Sequence, residues 1–208
     1  MTLFRTFLFF VFITLTGGCS LKQMPTQCQS GCVQPYGAVL GISEQGVQAY
    51  SNCQPACVNY EPNRFNDVYT GVKWQCVEYA RRWLLINKGV VFGDVDMASD
   101  IWDKTSHVTN VATNKRIPLE SHLNGSSTPP QAGDLLVYAR AFNNTGHVAV
   151  ITSVDYEKGI IRVAEQNYYN ELWPDHFSRT IEYLNLGKQH WVLDGYLLGW
   201  KQISEQGI

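Results

Sequence analysis

The strongest constraint on this chain is a series of apolar strand signals in its second half. Asp134–Tyr138 (DLLVY), His147–Val154 (HVAVITSV) and Ile160–Asn167 (IIRVAEQN) are rich in β-branched and aliphatic residues. Residues 155–159 read as the hairpin loop joining the last two, and residues 190–202 (HWVLDGYLLGWKQ) as a final strand. A helix is expected before them, from Gln75 to Lys88. It has Val77, Ala80, Trp83, Leu84 and Asn87 on one side and Gly89 as its stop. A shorter helix is expected over Met97–Thr105. Residues 35–50 read as two short strands around a glycine turn, 51–69 as loop, and 106–132 as polar loop or turns. Helices followed by an antiparallel sheet make an α+β order, not the alternation of a parallel sheet.

The hairpin brings chemistry with it. Glu165 sits in an apolar segment, where an unpaired carboxylate is costly, so it asks for a partner. Side chains alternate along a strand, so 147, 149 and 151 share a face, as do 161, 163, 165 and 167. Any antiparallel register whose paired residue numbers have an even sum puts the two sets on the same face. One such register sets His147 opposite Glu165. The next sets it opposite Asn167 with Glu165 diagonal. An odd register separates them. A carboxylate on one imidazole nitrogen leaves the other for a nucleophile.

Cys76 lies at the expected start of the helix. There the positive end of the helix dipole and free backbone N–H groups favour the thiolate. A lone cysteine at a helix start is more often packed than reactive, and a lone histidine at a strand start is usually structural. Cys76, His147 and Glu165 together form a nucleophile, a base and a group that orients the base. The Cys76 backbone N–H and the Gln75 side chain are the candidate oxyanion donors.

The other cysteines read differently. Cys28/Cys32 and Cys53/Cys57 are two copies of Cys-x-x-x-Cys. The twin spacing favours two disulfides cross-linking the pairs, with a four-thiolate zinc site as the rival. Arg5, the apolar stretch Thr6–Thr16 and Gly17-Gly18-Cys19 form an export signal, with Cys19 as the residue to be lipidated. The expected organisation is therefore signal peptide 1–18, lipidated cysteine and linker 19–34, catalytic domain 35–202 and tail 203–208. Ser20 after the cysteine favours the outer membrane facing the periplasm. The net charge of −2 over 208 residues, with basic residues scattered, excludes a nucleic-acid footprint. The 45% apolar content against 16% charged supplies a core.

The segment Tyr69–Trp83 (YTGVKWQCVEYARRW) resembles the nucleophile region of the CHAP family, the cysteine- and histidine-dependent amidohydrolases/peptidases. Together with NKGVVF at 87–92, TGHVAV at 145–150 and RVAEQN at 162–167, it is most similar to one branch. That branch is the amidase domain of bacterial bifunctional glutathionylspermidine synthetase/amidase. The resemblance spans residues 35–202. It implies a papain-like (CHAP/NlpC-type) α+β fold, with the helix carrying the nucleophile packed on an antiparallel sheet. It places the nucleophile on Cys76, the histidine on His147 and the acidic member on Glu165. Asn167 and Arg81 fall where the branch has substrate-contacting or site-shaping residues. No metal or organic cofactor is implied. No synthetase domain follows residue 202 and no phosphate-cradling loop is present, so hydrolysis without ATP is expected. The substrate divides the reading. The motifs favour a glutathionylspermidine-like amide, the export signal favours a peptidoglycan peptide, and a non-catalytic envelope-binding module is the third alternative.

Overall fold

The computed structural model describes residues 24–204. The export signal, Cys19 and residues 205–208 lie outside them. The described chain is mostly antiparallel sheet with few helices. Its strands are β1 Val39–Ile42, β2 Gln48–Tyr50, β3 Pro62–Phe65, β4 Val68–Val72, β5 Val90–Phe92, β6 His107–Asn110 and β7 Arg116–Leu123. They continue with β8 Leu135–Tyr138, β9 Val148–Asp155, β10 Ile160–Ala164, β11 Arg179–Leu186, β12 Gln189–Val192 and β13 Leu197–Ile203. The helices are α1 Cys76–Lys88 and α2 Asp100–Lys104. Nine strands form one sheet in the order β12-β11-β10-β9-β8-β13-β7-β6-β5, and β1-β2 and β3-β4 are separate hairpins.

The middle of the sheet is buried on both faces, which is why DLLVY and HVAVI read as unbroken apolar runs. Leu135, Val137, Val148 and Val150 share one core with Tyr79, Ala80, Trp83 and Leu84 of α1. The alternate residues Leu136, Tyr138, Ala149 and Ile151 point into a second core with Ile161, Val163, Ile181 and Trp200.

Helix α1 begins where expected. Gln75 is its N-cap in extended conformation, and Gly89 closes it in the left-handed conformation at φ 64°, donating to Leu85 O at 3.0 Å. Its burial is not one-sided. Every residue from Glu78 to Leu84 is buried, whereas Asn87 is exposed and donates to Trp83 O. The charged residues can be buried because they are bonded. Glu78 accepts from Arg82 Nε at 2.7 Å, Asn63 at 2.8 Å, Thr70 at 3.0 Å and Gln166 at 3.1 Å.

Several expected elements are redrawn. The stretch 51–69 expected as loop contains β3 and the start of β4, and the turn residues Asn66 and Asp67 between them both have positive φ. The polar stretch 106–132 contains β6 and β7. Pro118 obscures that strand in the sequence. Leu119 donates toward β6, to Ser106 O, so the missing N–H of Pro118 points to the other side, where β13 ends at Ile203. Helix α2 is shorter than the 97–105 expectation. The final 190–202 segment is two strands split by the turn at 193–196, and β11 fills a region that carried no assignment.

The cysteine pairs are cross-linked to each other. Cys28 bonds Cys57 and Cys32 bonds Cys53, which removes the zinc alternative. They make a small core of their own with Met24 and Tyr36, so residues 24–34 are stapled to the 52–58 loop.

Candidate active site

The register of the β9-β10 hairpin decides the site. Near the turn the pairs are Ile160 with Asp155, Ile161 with Val154 and Arg162 with Ser153, all of odd sum. A bulge follows at Thr152, and the pairs become Val163 with Ile151 and Ala164 with Val150, of even sum. Continued from the turn without the bulge, the register would send His147 and Glu165 to opposite faces. With it, the two fall on a diagonal of the same face, the second of the two even arrangements expected from the sequence. The strand itself stops at Ala164, so His147 stands one residue before β9 and Glu165 one residue after β10.

The two side chains meet there. His147 Nε2 lies 2.8 Å from Glu165 Oε2, and each side chain is 2% exposed. Gly146 makes the approach possible. Its φ is 74°, and a Cβ on it would lie 2.6 Å from Tyr138 O and 2.8 Å from Ser99 N. Cys76, the free cysteine among the described residues, is brought to the imidazole by the start of α1. Burial pulls the His147 pKa down. Its electrostatic interaction and hydrogen bond with Cys76 and its interactions with Glu165 outweigh that and lift it to about 9. Burial pushes Glu165 up, but its bonds to His147 and Arg179 and the Arg179 charge hold it at about 2. An ionised carboxylate only accepts, so Nε2 carries a hydrogen and Nδ1 is the nitrogen left for the sulfur.

Behind Glu165 is a group of residues that the sequence reading missed. Ser178 Oγ donates to Glu165 Oε1 at 2.8 Å and Arg179 Nε donates to the same oxygen at 2.7 Å. Arg179 also donates to Asp194 Oδ2 at 2.6 Å and to Tyr138 Oη at 2.9 Å. Phe142, Tyr138 and Tyr168 place their rings 5.7, 5.5 and 5.2 Å from the imidazole. A charged residue opening the alternating run RTIEYLNL was visible as a pattern. That it faces Glu165 follows only from the pairing of β11 with β10.

The site opens into a cleft of about 510 Å³. Pro55, Val58, Tyr69, Gln75, Cys76, Asp94, Asp96, Phe142, His147 and Asn167 are among its lining residues, and none of the lining residues is Lys or Arg. Asn167 Nδ2 donates to Gln75 Oε1 at 2.8 Å, while its buried Oδ1 has no partner. Gln75 Nε2 is directed to Cys57 O at 3.2 Å and Asn52 Oδ1 at 3.4 Å, so that donor is already engaged. Arg81 is not on the cleft surface. It stands behind it, donating to Asp94 at 2.9 Å and to Tyr69 O at 3.2 Å, and so holds two lining residues in place.

Comparison with known proteins places the chain among relatives. Residues 67–167 match the CHAP domain. Over 181 residues the chain is 36% identical to the bifunctional glutathionylspermidine synthetase/amidase of Escherichia coli K12, covering 80% of this chain and 29% of that protein. It is 35% identical over 166 residues to trypanothione synthetase of Crithidia fasciculata, covering 78% of this chain and 25% of that protein. Glutathionylspermidine synthase of the same organism is 29% identical over 193 residues, or 82% and 27%. The chain thus spans less than a third of the length of each of these relatives.

Proposed function

The chain carries a CHAP domain across residues 67–167, and on that premise we propose that it is a cysteine-dependent amidohydrolase acting through a thioester acyl-enzyme. The observation that carries this reading is the buried imidazole between the Cys76 thiol and the Glu165 carboxylate. Cys76 is the nucleophile, His147 the general base and acid, and Glu165 the group that orients the ring. The papain-like description of the fold, with the nucleophile at the start of a helix packed on an antiparallel sheet, belongs to the same proposal. The core shared by α1, β8 and β9 supports it.

The thiolate adds to the amide carbonyl carbon, forming the C–S bond and moving the carbonyl electrons onto oxygen. The Cys76 backbone N–H, at the open end of α1, receives that oxyanion. Gln75 adds a second donor only by releasing one of its bonds to Asn52 or Cys57 O. As the oxyanion collapses, the C–N bond breaks and the Nδ1 proton of His147 passes to the leaving amine. Water then gives a proton to Nδ1 and its oxygen attacks the thioester. The thiolate departs and a carboxylic acid is released. Asn167 lines the cleft beside Cys76 and His147, with its amide fixed on Gln75.

For the substrate, the relatives' names and the Asp96 carboxylate in the cleft lining support a glutathionylspermidine-like amide with a cationic amine side. A peptidoglycan peptide is the second reading. The two disulfides favour it, because such bonds persist in oxidising compartments and agree with an exported lipoprotein of the outer membrane.

The test is alkylation of the full chain with iodoacetamide at pH 6. Cys76 should label rapidly, and His147→Ala should slow it. Labelling at the rate of an ordinary free thiol would sink the enzyme reading. Incubation with glutathionylspermidine and with purified peptidoglycan, against Cys76→Ala, then separates the two substrates.

A further inference from the structure

Glu165 can orient His147 only if something orients Glu165. We propose that Arg179 is a positioning residue for His147, acting through Glu165; this rests on the amidohydrolase reading above. Arg179 opens β11 and pairs with Val163, two residues before Glu165. Its Nε and the Ser178 hydroxyl both donate to Glu165 Oε1, at 2.7 and 2.8 Å. That occupies one carboxylate oxygen and leaves Oε2 for His147, with Arg179 Nη2 3.4 Å from it. A glutamate has three rotatable bonds, and two donors on one oxygen stop the carboxylate from turning away.

Arg179 is held in turn from its far side. Nη1 donates to Asp194 at 2.6 Å and Nη2 to the Tyr138 hydroxyl at 2.9 Å, while that hydroxyl donates to Asp194 at 2.7 Å. Its guanidinium lies 4.3 Å from the Tyr168 ring centre. Tyr138 and Tyr168 are also two of the rings around His147. The same two side chains therefore support the arginine and enclose the imidazole. A lysine at 179 would keep the charge but lose the fork that reaches Glu165 and Asp194 together.

The charged and titratable groups facing this pair are Cys76 and Tyr79 from α1, Tyr138 from β8, Arg179 from β11, and Tyr168 and Asp194 from the loops. Removing the arginine changes how strongly Glu165 acts on His147. If the carboxylate stays, its charge is no longer shared and His147 holds its proton to higher pH. If it turns away, His147 releases its proton at lower pH.

The experiment follows iodoacetamide alkylation of Cys76 in the full chain against pH. The step read from the profile is the loss of the His147 proton, called the His147 step. Arg179→Met should lower the His147 step by more than about 0.3 pH unit, the direction that a carboxylate turned away produces. A folded Arg179→Met whose His147 step stays within that margin or rises overturns the proposal. Should Arg179→Met fail to fold, Arg179→Lys decides, because it keeps the charge and loses the fork: a lowered His147 step supports the proposal and an unmoved or raised one overturns it. Slow, ordinary-thiol labelling of the wild-type chain at pH 6 would instead sink the amidohydrolase reading, whatever the variants do.

Discussion

Two parts of the chain wall the Cys76 cleft, and different forces hold them. Pro55 and Val58 belong to the 52–58 loop, which is fastened by two disulfides and has little regular structure. Phe142, Gly146 and His147 belong to the connection between β8 and β9, whose strands are packed on both faces. The stapled wall is joined to the residue before Cys76 through the Gln75 side chain. Asn52 donates to Cys57 O at 2.7 Å, and both groups accept from Gln75 Nε2. The packed wall is joined to the site by backbone register. A loop without a large apolar core depends on covalent bonds, so its weak point is chemical. A packed sheet depends on alternation, so its weak point is a change of parity.

The largest effect expected from this contrast comes from inserting one alanine between Val148 and Ala149. With Val163 still opposite Ile151, the insertion shifts the pairing of His147 by one residue and takes it to the face opposite Glu165. Hydrolysis should fall about 10³-fold or more in protein that remains folded by circular dichroism. Retained activity would show that the site does not depend on parity. Gly146→Ala should cost about 10²-fold, because the new Cβ meets Tyr138 O and Ser99 N and moves the next residue, His147. A kinetic comparison with Gly187→Ala, where a Cβ meets nothing within 4 Å, controls for the left-handed backbone itself.

The stapled wall should respond in another way. Mild reduction of both disulfides should raise KM about ten-fold and lower stability by about 2–4 kcal/mol per bond, while rapid Cys76 alkylation persists. Loss of the alkylation rate as well would mean the two walls are not independent. Smaller still is the effect of Asp134, which precedes β8. Burial raises its pKa from 3.8 to about 7 against hydrogen bonds from Gln131 and Gln202. The folded state thus holds a proton that the unfolded chain releases, so stability declines as pH rises from about 4 to about 7. Asp134→Asn should remove that slope and add roughly 1–3 kcal/mol at pH 8 in urea denaturation, with little change at pH 4. Glu165 has the opposite sign. Its contribution is present above 4.5 and lost as pH falls toward about 2.

Much of the site was legible because its signals are local. Gln75 before the helix, Gly89 after it and the two Cys-x-x-x-Cys pairs each act over a few residues. Their structures followed. The strands β3, β4, β6 and β7 were not legible. Asn66-Asp67 makes a tight turn without glycine, and Pro118 survives in an internal strand only because the neighbouring strand has ended. Arg81 was placed at the site by motif, yet it acts from behind the cleft wall. Arg179 carried no local mark, since its partner Glu165 is 14 residues away and is reached only across the β10-β11 ladder.

The sequence by itself determined the chemical groups and their order: a thiol at a helix start, a histidine after a glycine, and a carboxylate in an apolar hairpin. It also set the condition that joins two of them, an even register. The tertiary structure decided how that condition is met, because the hairpin leaves its turn in the odd register and reaches the even one only through Thr152. A bulge is a choice between two pairings of the same residues. That choice depends on which side chains the cores on both faces accept, and no stretch of sequence contains both faces.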